Sequence, residues 1–197
     1  MDRIAQFARA QAVATQIIGS ITDEQLTLPT PCSEWNVRDI LNHVLDGDLL
    51  VIAWLQGETP PWGRDVNHLG GTDPQAVVPL VLEWLAACYA LAAAEAGDLE
   101  RVLTPRMGPM SVDAVVARRV DDLVAHLWDL AIVTGQPVDY DPELVESVLA
   151  HYHERLDGMP REGKPVAEPQ PVPEGATAAD RLAAYLGRSV GAWRTTT

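Results

Sequence analysis

The chain has 197 residues, of which 47% are apolar, enough for one domain with a real core and at most a small appendage. Fourteen basic residues against twenty-eight acidic ones leave a formal charge of −14, with no Lys/Arg cluster to break the trend. Such a surface repels phosphate backbones, so nucleic acid is not an expected partner. The opening Met1-Asp2-Arg3-Ile4 has no basic region leading into an apolar core, so no signal peptide is expected and the assignment is cytoplasmic. Two cysteines, Cys32 and Cys88, read as free thiols rather than a disulfide framework.

Helical periodicity recurs along the chain, and alternating strand patterns with hairpin dipeptides are absent. A first helix is predicted from Asp2 to Ile18, with Ile4, Phe7, Ala14, Ile17 and Ile18 on one face and Gly19-Ser20 as its stop. Ile21 to Cys32, with Pro29 and Pro31, reads as an ordered loop with one helical turn after Thr22. Ser33 is expected to cap a second helix running to Gln56, with Glu34 complementing its dipole. That helix carries two apolar faces. Val37, Leu41, Val44, Val51 and Leu55 form one; His43, Gly47, Leu50 and Trp54 form the other, which marks an inner bundle helix.

Thr59 to Gly71, with Trp62 and His68, reads as a long loop. Asp73-Pro74 opens a third helix to Ala96, closed by Gly97 and kinked by Pro79. Its nearly uncharged stretch, Ala76 to Ala94, contains Pro79 and Glu83 and is rich in alanine, so it fits a buried bundle helix better than a membrane span. After a loop from Leu99 to Met110, Ser111 caps a fourth helix to Thr134. Asp141-Pro142 opens a fifth, ending near Leu156. Met159 to Ala176, with five prolines, reads as a strap, and Thr177 with Asp180 as a capping box before a last helix, Ala178 to Leu186. The expected fold is all-α: an antiparallel four-helix bundle, residues 1–157, with the strap and short helix of 158–197 packed on it.

Asp122 and His126 are four residues apart, which stacks them on one helix face, and His43 lies on the inner flank of another helix. A carboxylate and two imidazoles can hold one divalent cation with a position left open. By spacing alone, the plainer readings are a satisfied core histidine for His43 and a helix-surface ion pair for Asp122–His126. His68 in its loop and Arg188 after the last helix are candidate substrate contacts; a surface ion pair is the plainer reading of Arg188. Trp35 and Trp128 read as packing residues, and Cys32 as a buried thiol.

The run TPCSEWNVRDILNHV, Thr30 to Val44, resembles the second-helix signature of the mycothiol-dependent maleylpyruvate isomerase N-terminal family, within the DinB-like superfamily. DLVAHLWDLA, Asp122 to Ala131, followed by Thr134-Gly135, resembles its second signature. DRLAAYLGR, Asp180 to Arg188, is similar to the C-terminal motif of one actinobacterial branch. The resemblance implies a bundle holding a metal on His43, Asp122 and His126, usually zinc and sometimes nickel. The chain departs from the isomerase itself, which carries Glu at the acidic position and a larger C-terminal domain; this argues against maleylpyruvate as substrate.

Three functions follow. The first is a metal-dependent enzyme using a low-molecular-weight thiol, mycothiol, for isomerisation or S-transfer on a small electrophile. The second is a thiol-independent metallohydrolase-like enzyme, and the third a non-catalytic binding or stress protein stapled by its metal. The expected partners are a small-molecule substrate and the thiol, with no membrane; homodimerisation through helix faces is compatible with all three.

Overall fold

The computed structural model describes residues 3–58, 66–94, 98–104, 108–162 and 166–194. The first half of the loop expected from Thr59, the Gly97 stop and Pro105 lie outside the described residues. Four long helices form the body: α1 (Arg3–Gly19), α2 (Val37–Leu55), α3 (Pro74–Ala94) and α4 (Val112–Val133). Three shorter ones follow: α5 (Pro142–Leu156), α6 (Ala178–Tyr185) and α7 (Val190–Arg194), the last not anticipated from the sequence.

The helix ends follow local chemistry. Ser111 accepts from the Ala114 N–H at the start of α4, and Thr177 with Asp180 forms the expected capping box on α6. Asp141 caps α5 with φ 32°, ahead of Pro142, and Arg9 of α1 grips its carboxylate. The start of α2 differs from expectation. Ser33 and Glu34 lie in a turn closed by Trp35 N–H donating to Cys32 O at 2.7 Å, and an isolated bridge pairs Pro29 with Asn36. The cap is Asn36, whose side chain accepts from Asp39 N–H while Asp39 returns a bond to Asn36 N–H at 2.9 Å. The loop before α4 also holds what the sequence did not suggest: Val102–Leu103 (β1) pairs antiparallel with Met110–Ser111 (β2). Two residues per strand are too few to carry an alternation signal.

α1 and α2 each pack on both α3 and α4. Named contacts fix the directions. Phe7 of α1 meets Tyr89 near the far end of α3, and His43 and Asp48 of α2 meet Asp122 and Arg119 of α4, so both pairs run antiparallel. Arg3 faces Asp113 and Gln136 bonds Ile17 O, so α1 lies parallel to α4; Arg38 bonds Thr72 O at 3.2 Å and aligns the start of α2 with that of α3. Two antiparallel pairs thus sit side by side around a core that includes Phe7, Ile18, Ile40, Leu41, Leu85 and Leu127. α3 is long and apolar enough to cross a membrane, with mean hydropathy 1.9. Its Val78, Leu82, Leu85 and Tyr89 are buried against the neighbouring helices.

α5 and α6 both pack on α4 and on one another. Trp128 of α4 is fully buried there and donates to Asp180 of α6 at 2.9 Å. The strap between α5 and α6 is tied down. Gln170 N–H donates to Ala184 O at 2.9 Å, and the buried Arg161 donates to Ala167 O at 2.9 Å and to Tyr185 O, with its guanidinium 4.3 Å from the Tyr185 ring centre.

Candidate metal centre

One face of α2 (His43, Asp46, Gly47, Leu50, Val51, Trp54) opposes one face of α4 (Val115, Arg118, Arg119, Asp122, Ala125, His126) across a cavity of about 690 Å³. The α2 face contains the second stripe read from the sequence, His43, Gly47, Leu50 and Trp54, together with Asp46 and with Val51 of the first stripe. Tyr152 and Arg155 of α5, Val166 and Ala167 of the strap, and Gly187 and Arg188 close the remaining sides. The strap therefore reaches the site.

The three expected side chains meet on this wall. His43 Nε2 is 3.2 Å from Asp122 Oδ2, and His126 Nε2 is 3.7 Å from Asp122 Oδ1. One ligand atom from each of His43, Asp122 and His126 lies within 4.8 Å of the others. The two imidazole rings are 5.0 Å apart, and the Trp35 ring is 4.7 Å from His43 and 5.7 Å from His126. Trp35 is thus a wall of the site as well as a packing residue.

The donor set fits a divalent ion on its own geometry. Arg119 donates to Asp122 Oδ2 at 2.7 Å, which leaves Oδ1 toward His126. His126 Nδ1 is 3.0 Å from Asp129 Oδ2; with Nδ1–H donating there, the Nε2 lone pair points to the cluster. Two imidazole nitrogens and a carboxylate oxygen are a common set for zinc and its neighbours.

The comparisons with known proteins agree with this architecture. The family model for the mycothiol maleylpyruvate isomerase N-terminal domain matches residues 7–131. The chain belongs to that family. Membership makes it a relative of metal-binding, mycothiol-related DinB-like bundles. Two proteins described as uncharacterized, from two strains of Mycobacterium tuberculosis, are each 33% identical over 191 residues, covering 96% of this chain and 100% of the relative. No solved structure matches the chain.

Within this family member, a buried layer of charge stands behind the three side chains. Asp129 is held by Arg188, with Nε at 3.1 Å from Oδ1 and Nη2 at 2.7 Å from Oδ2. Arg188 is therefore no surface ion pair but a largely buried one that also lines the cavity. It lies beyond the matched residues 7–131, on the turn after α6. The Cys32 thiol donates to Asp129 Oδ2 at 3.4 Å and accepts from Arg188 Nη2 at 3.4 Å. On the other side, Arg119 also donates to Asp48 and, at 3.0 Å, to Val44 O. His68 is not on the cavity wall; its Nε2 is 2.7 Å from Asp46, which is.

These contacts set the ionisation states. Desolvation opposes charge on Asp122, but His43, His126 and Arg119 outweigh it and hold the carboxyl well below the usual carboxylate range. Asp129 is likewise desolvated, yet Arg188 and His126 hold it at about 2. Burial, with the Asp129 charge beside it, pushes the Cys32 thiol up to about 12. That makes Cys32 a hydrogen-bonding wall group rather than a nucleophile.

Sequence reasoning missed Arg119, Asp129 and Asp48. The signal was present: Arg119, Asp122, His126 and Asp129 follow one another at helical spacings of three and four.

Proposed function

We propose that this chain is a metal-dependent enzyme that uses a low-molecular-weight thiol, mycothiol in the first instance, for isomerisation or S-transfer on a small electrophilic substrate. His43, Asp122 and His126 would hold the divalent ion, zinc first and nickel as the alternative. The carrying observation is that their ligand atoms converge within 4.8 Å on the wall of a cavity of about 690 Å³, a volume suited to small-molecule ligands. A divalent ion in this site supplies Lewis acidity that lowers the pKa of a thiol bound to it.

The chain's own residues position the chemistry. Asp129 accepts from His126 Nδ1 and fixes the ring; Arg188 fixes Asp129 with two charge-assisted bonds. Arg119 donates to Asp122 Oδ2, the oxygen beside His43, and so holds the carboxylate with Oδ1 toward His126. Trp35 lies beside both rings and walls that side of the site. In isomerisation the thiol sulfur, having lost its proton, bonds to the electrophilic carbon, and the same C–S bond breaks once the substrate has rotated, regenerating the thiol. In S-transfer the C–S bond is kept, and the displaced group leaves with its electron pair or the adduct takes a proton.

Elemental analysis of the native protein beside a D122A/H126A variant tests the metal. Near-stoichiometric zinc or nickel in the first and loss in the second is expected. The visible spectrum of cobalt-substituted protein should change on adding mycothiol. No metal uptake would overturn the reading; uptake with a spectrum indifferent to thiols would overturn its thiol half.

A further inference from the structure

α3 is apolar on both of its faces. One buries Val78, Leu82, Leu85 and Tyr89 in the bundle. The other exposes eight residues: four are alanines, and the rest are Leu80, Glu83, Trp84 and Leu91. Leu80, Trp84 and Leu91 follow one another at spacings of four and seven, which sets them in a single stripe, and they are 64%, 47% and 71% exposed. α5 shows the solvated kind of face in the same chain, with Glu143, Glu146, His153 and Glu154 exposed along it. A helix that is hydrophobic all round belongs in an interior, so the outer face of α3 calls for a cover. α1 packs beside α3 and extends the face: its exposed Ile4, Ala8, Ala12, Thr15, Gln16 and Gly19 carry no charge. None of these residues lines the cavity of the candidate metal site.

We propose that the outer face of α3, with the adjoining side of α1, is the interface of a twofold homodimer. Charge picks a second copy of the chain as the occupant. A net charge of −14 makes two copies repel one another, and least where their surfaces carry no charge. Among the exposed residues of these two helices, Glu83 is the single charged side chain. A lipid surface suits the face less well, because a helix lying on a membrane flanks its apolar stripe with Lys or Arg, and α3 contains neither. The area is also sufficient. The 21 residues of α3 make a face about 30 Å long, and two helices side by side are about 20 Å wide, so each protomer offers about 600 Å². The pair then buries about 1,200 Å², the lower end of the range for stable, specific association. A twofold contact is self-complementary. With α3 antiparallel to its copy and the axis midway between Leu85 and Ala86, Leu80 meets the partner's Leu91 and Trp84 meets the partner's Ala87, a large side chain over a small one.

Sedimentation equilibrium of the full chain tests the interface, at roughly 100 µM, above the micromolar affinity expected of a small one. The native chain should sediment at twice the 21.4 kDa of one copy. Trp84→Glu and Leu91→Glu should each weaken association about a hundredfold or more, since each buries two unpaired charges per dimer. Ala150→Glu, on the exposed side of α5, should leave the dimer intact. Helix content by circular dichroism should be unchanged in all three, because every substituted side chain is exposed. Should W84E fail to fold, L91E and A87E carry the same test. A native chain that sediments as a monomer overturns the inference. A dimer that survives W84E, L91E and A87E overturns it as well, by placing the contact on another surface. A monomer that binds phosphatidylcholine vesicles, and loses them in W84E, gives the face to lipid and overturns it likewise. Zinc content should be equal in dimeric and monomeric chains, because α3 supplies no part of the cavity, so this outcome is independent of the metal reading.

Discussion

Gly47 of α2 lies against the Arg119 guanidinium of α4: a Cβ on Gly47 would stand 3.1 Å from Arg119 Nε and 3.2 Å from Cζ. Glycine inside a helix costs about 1 kcal/mol relative to alanine. Here it leaves the room through which Arg119 reaches Asp122. Arg119 cannot retreat easily, since Asp48, Asp122 and Val44 O all hold it. In Gly47→Ala the gain in helix propensity and the crowding should offset each other, keeping unfolding free energy within about 1 kcal/mol of the native chain. The displaced guanidinium should turn Asp122, and zinc affinity should fall about tenfold. Urea denaturation and competition with a zinc indicator read the two effects separately.

Removing Arg119 should be far more damaging. Asp48 is fully buried, and among the described residues its Oδ2 has no hydrogen-bond partner, so Arg119 is its main compensation. Arg119→Met should cost about 3 kcal/mol or more, because it strands a buried carboxylate. Burial already pushes the Asp48 pKa up, against the pull of Arg119. Without Arg119 it rises further, and a folded pKa above the unfolded one favours folding as pH falls. The variant should therefore gain stability from pH 7 toward pH 5. The double variant D48L/R119M should recover more than half of the loss, as a double-mutant cycle in urea would measure.

The bundle was legible because helical periodicity recurs along the chain, and the candidate trio because a resemblance to a family was added to its spacing, which alone had plainer readings. Asp122 and His126 share a face at four-residue spacing, and His43, Gly47, Leu50 and Trp54 mark a second face of α2 that became the cavity wall. The start of α2 was misplaced because Ser33-Glu34 imitates a cap. The deciding partner, the bridge between Pro29 and Asn36, is a tertiary contact, while the Asn36 and Asp39 pair is a quieter form of the same box. Arg188 read as a surface residue because nothing local to it reveals Asp129, which lies 59 residues earlier in the chain. The charged layer behind the candidate metal site is a product of packing, which periodicity places on a face but does not pair.

Asp129 ties three groups together, so Asp129→Asn should report on each. Its pKa is lowered to about 2, against about 4 for an unperturbed aspartate, and it is fully buried. A depressed carboxylate pKa stabilises the fold fully above the unfolded value, and the effect is lost as pH falls through the folded one. The native chain should lose about 2 kcal/mol between pH 5 and pH 2 from this group, a loss absent in D129N. The Cys32 thiol, pushed up to about 12 chiefly by burial and then by the Asp129 charge, should resist iodoacetamide in the native chain near pH 8. It should react faster in D129N, where that charge is gone and Arg188 remains. A Cys32 alkylated at equal rates in both chains would show that Asp129 does not govern it.

The strap meets the site where Gly187 touches Ala167. Gly187 has φ +93°, and a Cβ on it would stand 2.6 Å from Ala167 Cβ. Both reasons for glycine act together: backbone conformation and close approach. Gly187→Ala should cost about 2 kcal/mol or more and lift the strap, exposing it to limited proteolysis between α5 and α6. Arg188 follows Gly187 directly, so the same displacement should draw its guanidinium off Asp129 and release the His126 ring. Zinc affinity should then fall along with strap protection, although the substitution touches none of His43, Asp122 or His126. Adding Ala167→Gly removes the Cβ clash but not the strained φ. The double variant should regain strap protection and much of the zinc affinity while keeping part of the stability loss. If strap protection returns and zinc affinity does not, Arg188 is not the link between the strap and the proposed metal site.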